Sequence, residues 1–125
     1  MTLRRIATVA AAAVLATAGT VGVTALPAQA VTCGTGNVCL HDPDRFGTPV
    51  WSMTGYALMT NNCTNLTGFN NRVTSWQNTS NYRFVLYADA NCSPLTALFA
   101  VNIRSSSSNI GTVANDKASS IGWGQ

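Results

Sequence analysis

One stretch decides the fold: Asn70-Asn71-Arg72-Val73-Thr74-Ser75-Trp76, which returns 45 residues later (115 minus 70) as Asn115-Asp116-Lys117-Ala118-Ser119-Ser120-Ile121. Each copy has two amide or carboxylate side chains, two variable residues, two hydroxyl side chains and a large apolar residue. Asn and Asp bond their own backbone and tolerate left-handed conformations, which suits a turn. The apolar and β-branched residues that follow suit a strand. Each copy therefore predicts a turn that enters a strand and gathers oxygen atoms at its entrance.

The repeat continues upstream of both copies. Val38-Cys39-Leu40-His41-Asp42-Pro43-Asp44-Arg45-Phe46-Gly47 can be laid on Phe84-Val85-Leu86-Tyr87-Ala88-Asp89-Ala90-Asn91-Cys92-Ser93 at an offset of 46 residues (84 minus 38). A nearly constant period over the whole unit indicates duplication of one supersecondary block. We therefore predict two repeats, at about residues 33–80 and 81–125, within a single domain.

The first thirty residues have the features of an export signal. Arg4 and Arg5 precede an uncharged run over residues 6–26, and Ala28-Gln29-Ala30 follows. A positive start, an apolar centre and a small-residue cleavage site are typical of a secretory signal peptide. The run is long enough to be a membrane anchor instead, but its many Ala, Thr and Gly residues make it weakly hydrophobic. We expect cleavage after Ala30 and a secreted, extracellular protein.

Charge excludes some partners of the exported chain. Without Arg4 and Arg5 it keeps five Lys and Arg residues against four Asp, a net charge of +1 in place of +3 for the whole sequence. Nothing in this balance indicates binding to nucleic acid or, after cleavage, to a membrane. We expect a monomer.

The four cysteines, Cys33, Cys39, Cys63 and Cys92, all follow the signal peptide. An even number in a small exported chain indicates two disulfides, for which three pairings are possible. The paired close spacing of a structural zinc site is absent. We favour Cys33–Cys39 with Cys63–Cys92, because the second bond would tie one repeat to the other.

Short apolar runs between Gly, Pro, Asn and Ser predict strands at residues 38–41, 50–53, 73–78, 82–87, 95–101 and 118–123. No stretch has a helical period long enough to predict a helix. Regularly spaced short strands indicate an all-β sandwich.

These features together resemble a known fold and a known family. The segments at residues 40–47 and 86–91 resemble the folded hairpins of βγ-crystallin Greek keys, and residues 70–75 and 115–120 match the Asn/Asp turn motif of that superfamily. With the signal peptide, the early cysteine pair and the chain length, the sequence resembles the secreted actinobacterial peptidase inhibitors whose best-known member inhibits a metalloproteinase. The resemblance implies a βγ-crystallin-like sandwich of two Greek-key motifs with two disulfides.

The resemblance also implies inhibition of an extracellular metallo- or serine peptidase by occlusion of its cleft. Two departures limit what it implies. The hairpin pattern places Gly two residues after the second aromatic residue, where positive φ is needed, but Gly47 comes one place early and the second hairpin has Pro94. Because Pro cannot adopt positive φ, we expect the second hairpin to fold differently. In the metalloproteinase inhibitor the reactive bond lies in a short disulfide loop, and this chain has only Cys92 there.

Calcium is the metal that the resemblance implies, since in βγ-crystallins the hairpin of one unit and the Asn/Asp turn of the other share an ion. One expected site has Asp42 or Asp44 with Asn115, Asp116 and Ser119, and the other has Asp89 with Asn70, Asn71 and Thr74. With so few carboxylates we expect weak binding, on the order of 10⁻⁴ M or poorer. Alternatively these residues only cap turns, with Ser75 and Ser120 bonding the hairpins. No cofactor is required.

Catalysis is not expected. The single histidine, His41, has the place of a packing aromatic residue, and no nucleophile, base and acid set is visible. For inhibition, a rigid exposed loop is enough. The candidate inhibitory loop is the run Met59, Thr60, Asn61, Asn62, Cys63 and Thr64, with the serines at 105–108 as a second choice.

A binding module is the alternative function. Trp51, Trp76, Trp123, Tyr56, Tyr82 and Tyr87 provide aromatic faces on which a glycan or a cell-wall component can stack. A calcium-binding structural role or a killer-toxin-like role belongs to the same alternative.

Overall fold

The structure, a computed structural model, describes residues 30–124, so the predicted signal peptide lies outside the described residues except for Ala30. The elements within these residues are β1 (Asn37–His41), β2 (Val50–Thr54), α1 (Gly55–Asn61), β3 (Cys63–Asn65), β4 (Ser75–Asn78), β5 (Phe84–Tyr87), β6 (Ala97–Val101), β7 (Ser105–Ser107) and β8 (Ser120–Trp123). Two 3-10 turns, Ala90–Cys92 and Pro94–Thr96, lie between β5 and β6.

The strands form two antiparallel sheets of four strands each. Sheet A has the order β2-β1-β4-β7, and sheet B has the order β3-β8-β5-β6. Strands β1 to β4 come from the first predicted repeat and β5 to β8 from the second. Strands β3 and β7 therefore each cross to the sheet of the other repeat, which makes the two Greek keys interlock. The predicted all-β sandwich is confirmed.

The core fills the space between the sheets with apolar side chains from both repeats. Leu40 and Trp76 face each other across β1 and β4, as Leu86 and Ile121 do across β5 and β8. The buried cluster consists of Val38, Leu40, Leu58, Leu66, Phe69, Val73, Trp76, Phe84, Leu86, Val101, Ala118 and Ile121. Val73 and Ala118 occupy matching positions of the two motif copies, so the repeated turns also close the core.

Each hairpin folds back over its own motif copy through a serine. In the first hairpin, Ser75 Oγ donates to Pro43 O at 2.9 Å and accepts from Phe46 N at 3.2 Å. In the second, Ser120 Oγ donates to Asp89 O at 2.6 Å and accepts from Cys92 N at 3.0 Å. The two serines thus cap the hairpins in the same way.

The expectation that the second hairpin folds differently is wrong at its tip. Arg45 and Phe46 have φ of 55° and 61°, and their counterparts Asn91 and Cys92 have φ of 61° and 51°. In the first hairpin the two residues with positive φ therefore lie before Gly47, and in neither hairpin is one of the two residues a glycine. Gly47 is needed for space, since a Cβ there would lie 2.5 Å from Pro43 Cγ.

The disulfides are Cys33–Cys39 and Cys63–Cys92, with Cα–Cα distances of 5.8 and 5.9 Å. The favoured pairing is therefore confirmed. The second bond joins β3 of the first repeat to the hairpin of the second. Closing the loop between Cys63 and Cys92 stabilises the domain by roughly 3–4 kcal/mol in the chain-entropy model. This contribution matters because so small a domain has a modest core.

Several predicted boundaries differ from the structure. Helix α1 was not predicted, because its seven residues are too few to establish a period. Strands β4 and β8 begin at Ser75 and Ser120, two residues later than predicted, because the motif turns extend further. The serines at 105–108 are not a plain loop, since β7 pairs with β4 there. No helix within residues 30–124 is long and apolar enough to cross a bilayer.

Candidate functional site

The second hairpin presents an apolar side chain to solvent at the turn of residues 93–96, here called the Leu95 turn. Leu95 is 97% exposed, although leucine is ordinarily a core residue. It is the middle residue of the 3-10 turn Pro94–Thr96. A single exposed leucine is common on protein surfaces. What distinguishes Leu95 is that the backbone of its turn is held in one conformation.

Hydrogen bonds fix the backbone of the Leu95 turn. Ser93 O accepts from Thr96 N at 3.0 Å and from Thr96 Oγ1 at 3.1 Å. Thr96 in turn accepts on its main-chain oxygen from Ala88 N at 2.9 Å, and on its hydroxyl from Asp89 N at 3.3 Å. Pro94 removes one further backbone rotation. The leucine therefore stands on a turn whose shape is set before any partner arrives.

The residue before the turn is anchored to the first repeat. Cys92 bonds covalently to Cys63 of β3, and its neighbour Asn91 makes two hydrogen bonds to the side chain of Asn65, at 2.7 and 3.0 Å. The disulfide lies directly over Gly122 of β8, where a Cβ would come within 3.0 Å of Cys92 Sγ. The Leu95 turn is thus held on one side by its own hydrogen bonds and on the other by β3.

The segment expected to be the inhibitory loop is not a loop. Met59, Thr60 and Asn61 form the last turn of α1, Asn62 ends the helix with φ of 62°, and Cys63 and Thr64 belong to β3. The Cys63–Cys92 bond nevertheless places the end of this segment beside the second hairpin. Whether it contacts a peptidase stays a prediction.

Two local signals could have been recognised from the sequence. Thr54 starts α1, because its hydroxyl accepts from Ala57 N at 3.2 Å, as an N-cap residue does. The run Cys92-Ser93-Pro94-Leu95 places a large apolar residue just after a disulfide cysteine and a proline. Its solvent exposure, however, depends on the path of the whole hairpin and is not readable from the run itself.

The turns of the two motif copies contact each other directly. Asn71 and Asp116 both have φ of 54°, and each N–H donates to the other copy, Asn71 N to Ala118 O at 2.8 Å and Asp116 N to Val73 O at 3.1 Å. These matched bonds bring the oxygen-bearing side chains of both copies to the same end of the sandwich.

The hydroxyl groups of this cluster form hydrogen bonds from one motif copy to the other. Thr74 Oγ1 donates to Asp116 Oδ1 at 3.3 Å, and Ser119 Oγ approaches Asn71 Oδ1 at 3.5 Å. The calcium sets that the resemblance implies, which group Ser119 with Asp116 and Thr74 with Asn71, stay a prediction. Thr74 N also donates to His41 O at 2.8 Å, so the first motif copy is joined to the end of β1.

The expected carboxylates are not equally available to a cation. Asp42 Oδ2 accepts from Arg72 Nε at 2.9 Å and from Arg72 Nη2 at 2.6 Å, so its charge is already compensated. Asp44 and Asp89 are exposed on the two hairpins, and Asn70 is exposed beside Asn71. Within residues 30–124 no three His, Cys, Asp or Glu side chains come together. The cluster is therefore mainly one of amide and hydroxyl oxygens.

Asn115 provides the clearest sign of an unmet oxygen. Its Nδ2 donates to Asp116 Oδ2 at 2.9 Å, while its Oδ1 is buried and has no hydrogen-bond partner among the described residues. A buried acceptor without a partner is costly. Asp116 accepts from both Asn115 and Thr74, and amide, carboxylate and hydroxyl oxygens are the ligands that a hard cation such as calcium takes.

His41 serves the fold. It is fully buried, its Nδ1 lies 2.9 Å from Gly47 O, and its ring meets Phe46 edge-on at 5.7 Å. This is the place of a packing aromatic residue, as the repeat predicts.

Several solved structures similar to this chain are described as βγ-crystallin domains. One, from work on the evolution of the eye lens βγ-crystallin fold, has a TM-score of 0.59 at 19% identity and covers 76% of this chain and 94% of its own. A βγ-crystallin domain from Flavobacterium johnsoniae has a TM-score of 0.52 at 23% sequence identity, and the match covers 69% of this chain and 91% of that domain. A βγ-crystallin domain from Clostridium beijerinckii has a TM-score of 0.52 at 18% sequence identity, and the match covers 69% of this chain and 94% of that domain. These similarities define the class of fold.

The family follows from the sequence. The model of peptidase inhibitor family I36 matches residues 27–98, which is more than half of the chain and includes the Leu95 turn. The chain belongs to this family, so it is a peptidase inhibitor in class and not an enzyme. No curated protein matches it.

Proposed function

We propose that the protein inhibits an extracellular peptidase by inserting the Leu95 turn into the substrate cleft. The observation that supports this proposal is a 97% exposed leucine on a backbone fixed by hydrogen bonds and by the Cys63–Cys92 disulfide. Family membership implies a peptidase partner in general. Disulfides that persist fit an oxidising, extracellular setting.

Rigidity explains why such a turn would inhibit and not merely be cut. A flexible peptide loses conformational freedom on binding, whereas the Leu95 turn has lost most of it on folding. Cleavage within the turn would also leave both ends attached, since Thr96 bonds to Ala88 and Cys92 is bonded to Cys63. The cut ends would stay in place, so release of the product would be slow.

The exposed side chain indicates the kind of target. An apolar residue gains about 1.5–3 kcal/mol when it is buried in an apolar pocket. We therefore expect a peptidase whose specificity pocket accepts a large apolar side chain, either a metallopeptidase or a serine peptidase. The end of α1 near Asn62 would flank this contact.

The test is a titration of two peptidases with the exported chain, residues 31–125, with its disulfides formed. A thermolysin-type metallopeptidase and a subtilisin-type serine peptidase cover both mechanisms. We expect stoichiometric loss of activity for at least one. Full residual activity of both at a large excess of the protein would contradict the proposal.

We propose calcium binding as a second function, because Asn115 Oδ1 is buried without a partner and Asp116 accepts from both Asn115 and Thr74. Asn115, Asp116 and Thr74 would hold the ion, which would supply charge compensation and rigidity. Since Arg72 already compensates Asp42, we expect affinity on the order of 10⁻⁴ M or poorer. The measurement is the melting temperature with calcium and with a chelator. A rise with calcium that Asp116→Asn abolishes is expected, and equal melting temperatures would contradict it.

A further inference from the structure

A polar trough crosses sheet A on the side of the molecule where α1 begins. Two adjoining clefts of about 430 and 360 Å³ form it, and they share Thr35, Thr79 and Arg104. The first continues over β4 and the start of β7. The second continues to Tyr56 at the start of α1 and to Tyr82. Helix α1 separates this trough from the Leu95 turn, because the helix begins at the trough and ends near the Leu95 turn.

The lining of the trough is rich in hydroxyl and amide groups. Ser105 and Ser106 contribute hydroxyls in the first cleft. In the second, the Thr54 hydroxyl accepts from Ala57 N and the Thr79 hydroxyl donates to Gly34 O. The ring of Tyr56 stands at the rim with 65% of its surface exposed. Hydroxyl groups beside an exposed aromatic face match the two surfaces of a sugar ring, whose edge carries hydroxyls and whose face is apolar.

Arg104 provides the charge of the trough. Its Nε donates to Asn81 Oδ1 at 2.9 Å, and its backbone, with φ of 44°, is held by the bond from its N–H to Ser80 O at 3.3 Å. The guanidinium is thus oriented through one nitrogen, and its Nη groups have no hydrogen bond to other residues within 30–124. No Asp or Glu is among the residues that line either cleft. The trough therefore has one positioned cation and no anion.

We propose that this trough binds an acidic oligosaccharide, with Arg104 on a sugar carboxylate and Tyr56 against a ring face. Guanidinium and carboxylate form paired, charge-assisted hydrogen bonds, which are stronger than neutral ones. An acidic peptide would also offer carboxylates, but it carries no ring hydroxyls for Ser105 and Ser106 and no saturated ring face for Tyr56. The observations thus favour a sugar. This site is independent of the proposed peptidase contact.

The experiment uses tetragalacturonate as the probe and the exported chain with its disulfides formed, followed by NMR shifts and calorimetry. We expect binding that weakens as salt is raised, because an exposed ion pair is screened. Arg104→Gln should weaken it roughly tenfold or more, as loss of a charge-assisted bond does. Tyr56→Ala should weaken it several-fold and Tyr56→Phe hardly at all.

Controls separate the chemistry from general charge. Lys117→Gln removes an exposed cation of the second motif copy and should leave the affinity unchanged. Maltotetraose lacks the carboxylates and tetraglutamate lacks the sugar rings, so both should bind more weakly than tetragalacturonate. The proposal is overturned if tetragalacturonate does not bind at millimolar concentration, if either comparison ligand binds as tightly, or if Arg104→Gln melts like the parent and binds equally well.

Discussion

Replacing Leu95 by alanine should weaken peptidase inhibition without weakening the fold. The side chain is 97% exposed in the free protein, so truncation removes almost no packing, and stability should change by less than about 0.5 kcal/mol. In the complex the same truncation removes three buried carbon atoms. At about 0.8 kcal/mol for each buried methylene, the loss is about 2.4 kcal/mol, which corresponds to a roughly sixtyfold increase in the inhibition constant.

The assay is the inhibition constant of Leu95→Ala against whichever peptidase the parent inhibits, together with its melting temperature. Leu95→Met nearly conserves the volume and should retain most of the inhibition. Val113→Ala is a matched control, because Val113 is 80% exposed and lies outside the turn. An unchanged inhibition constant for Leu95→Ala at an unchanged melting temperature would refute the reasoning.

Three further variants test how the two hairpins and the Leu95 turn are held. Gly122→Ala brings a Cβ within 3.0 Å of Cys92 Sγ, so denaturant unfolding should show a loss of about 1–3 kcal/mol; parent-like stability would mean that the disulfide can shift freely. Ser75→Ala leaves a main-chain N–H of the first hairpin without its acceptor and should cost roughly 1–3 kcal/mol, whereas the exposed Ser108→Ala should cost less than about 0.5 kcal/mol. Replacing Cys63 and Cys92 together by alanine should cost roughly 3–4 kcal/mol and also weaken inhibition; retention of full inhibition would show that the disulfide does not order the turn.

The fold was predictable because the same sequence motif occurs in both repeats. The two motif copies place Ser75 and Ser120 where each caps its hairpin, and both do so with the same pair of bonds. The even number of cysteines predicted two disulfides, and the favoured pairing, which ties one repeat to the other, is the observed one. What the repeat could not show was helix α1, because it occurs in only one unit and depends on the local cap of Thr54.

The candidate site was less predictable because exposure is a tertiary property. Leu95 lies in a segment expected to be a strand, and an apolar residue there would ordinarily face the core. Pro94 and the bonds of Thr96 delay the strand to Ala97 and leave the leucine outside. The hydrogen bond between Thr74 and Asp116 was hidden for a related reason, since only the packing of the two turns brings these side chains together.

The most direct test of the inhibitor proposal is to place a photo-reactive leucine analogue at position 95 and irradiate the complex with the inhibited peptidase. The crosslink should map to the substrate cleft and should disappear when a small active-site inhibitor fills the cleft first. The same analogue at position 113 should give no cleft crosslink. A stoichiometric complex that crosslinks in the cleft from position 113 but not from position 95 would contradict the proposed role of the Leu95 turn.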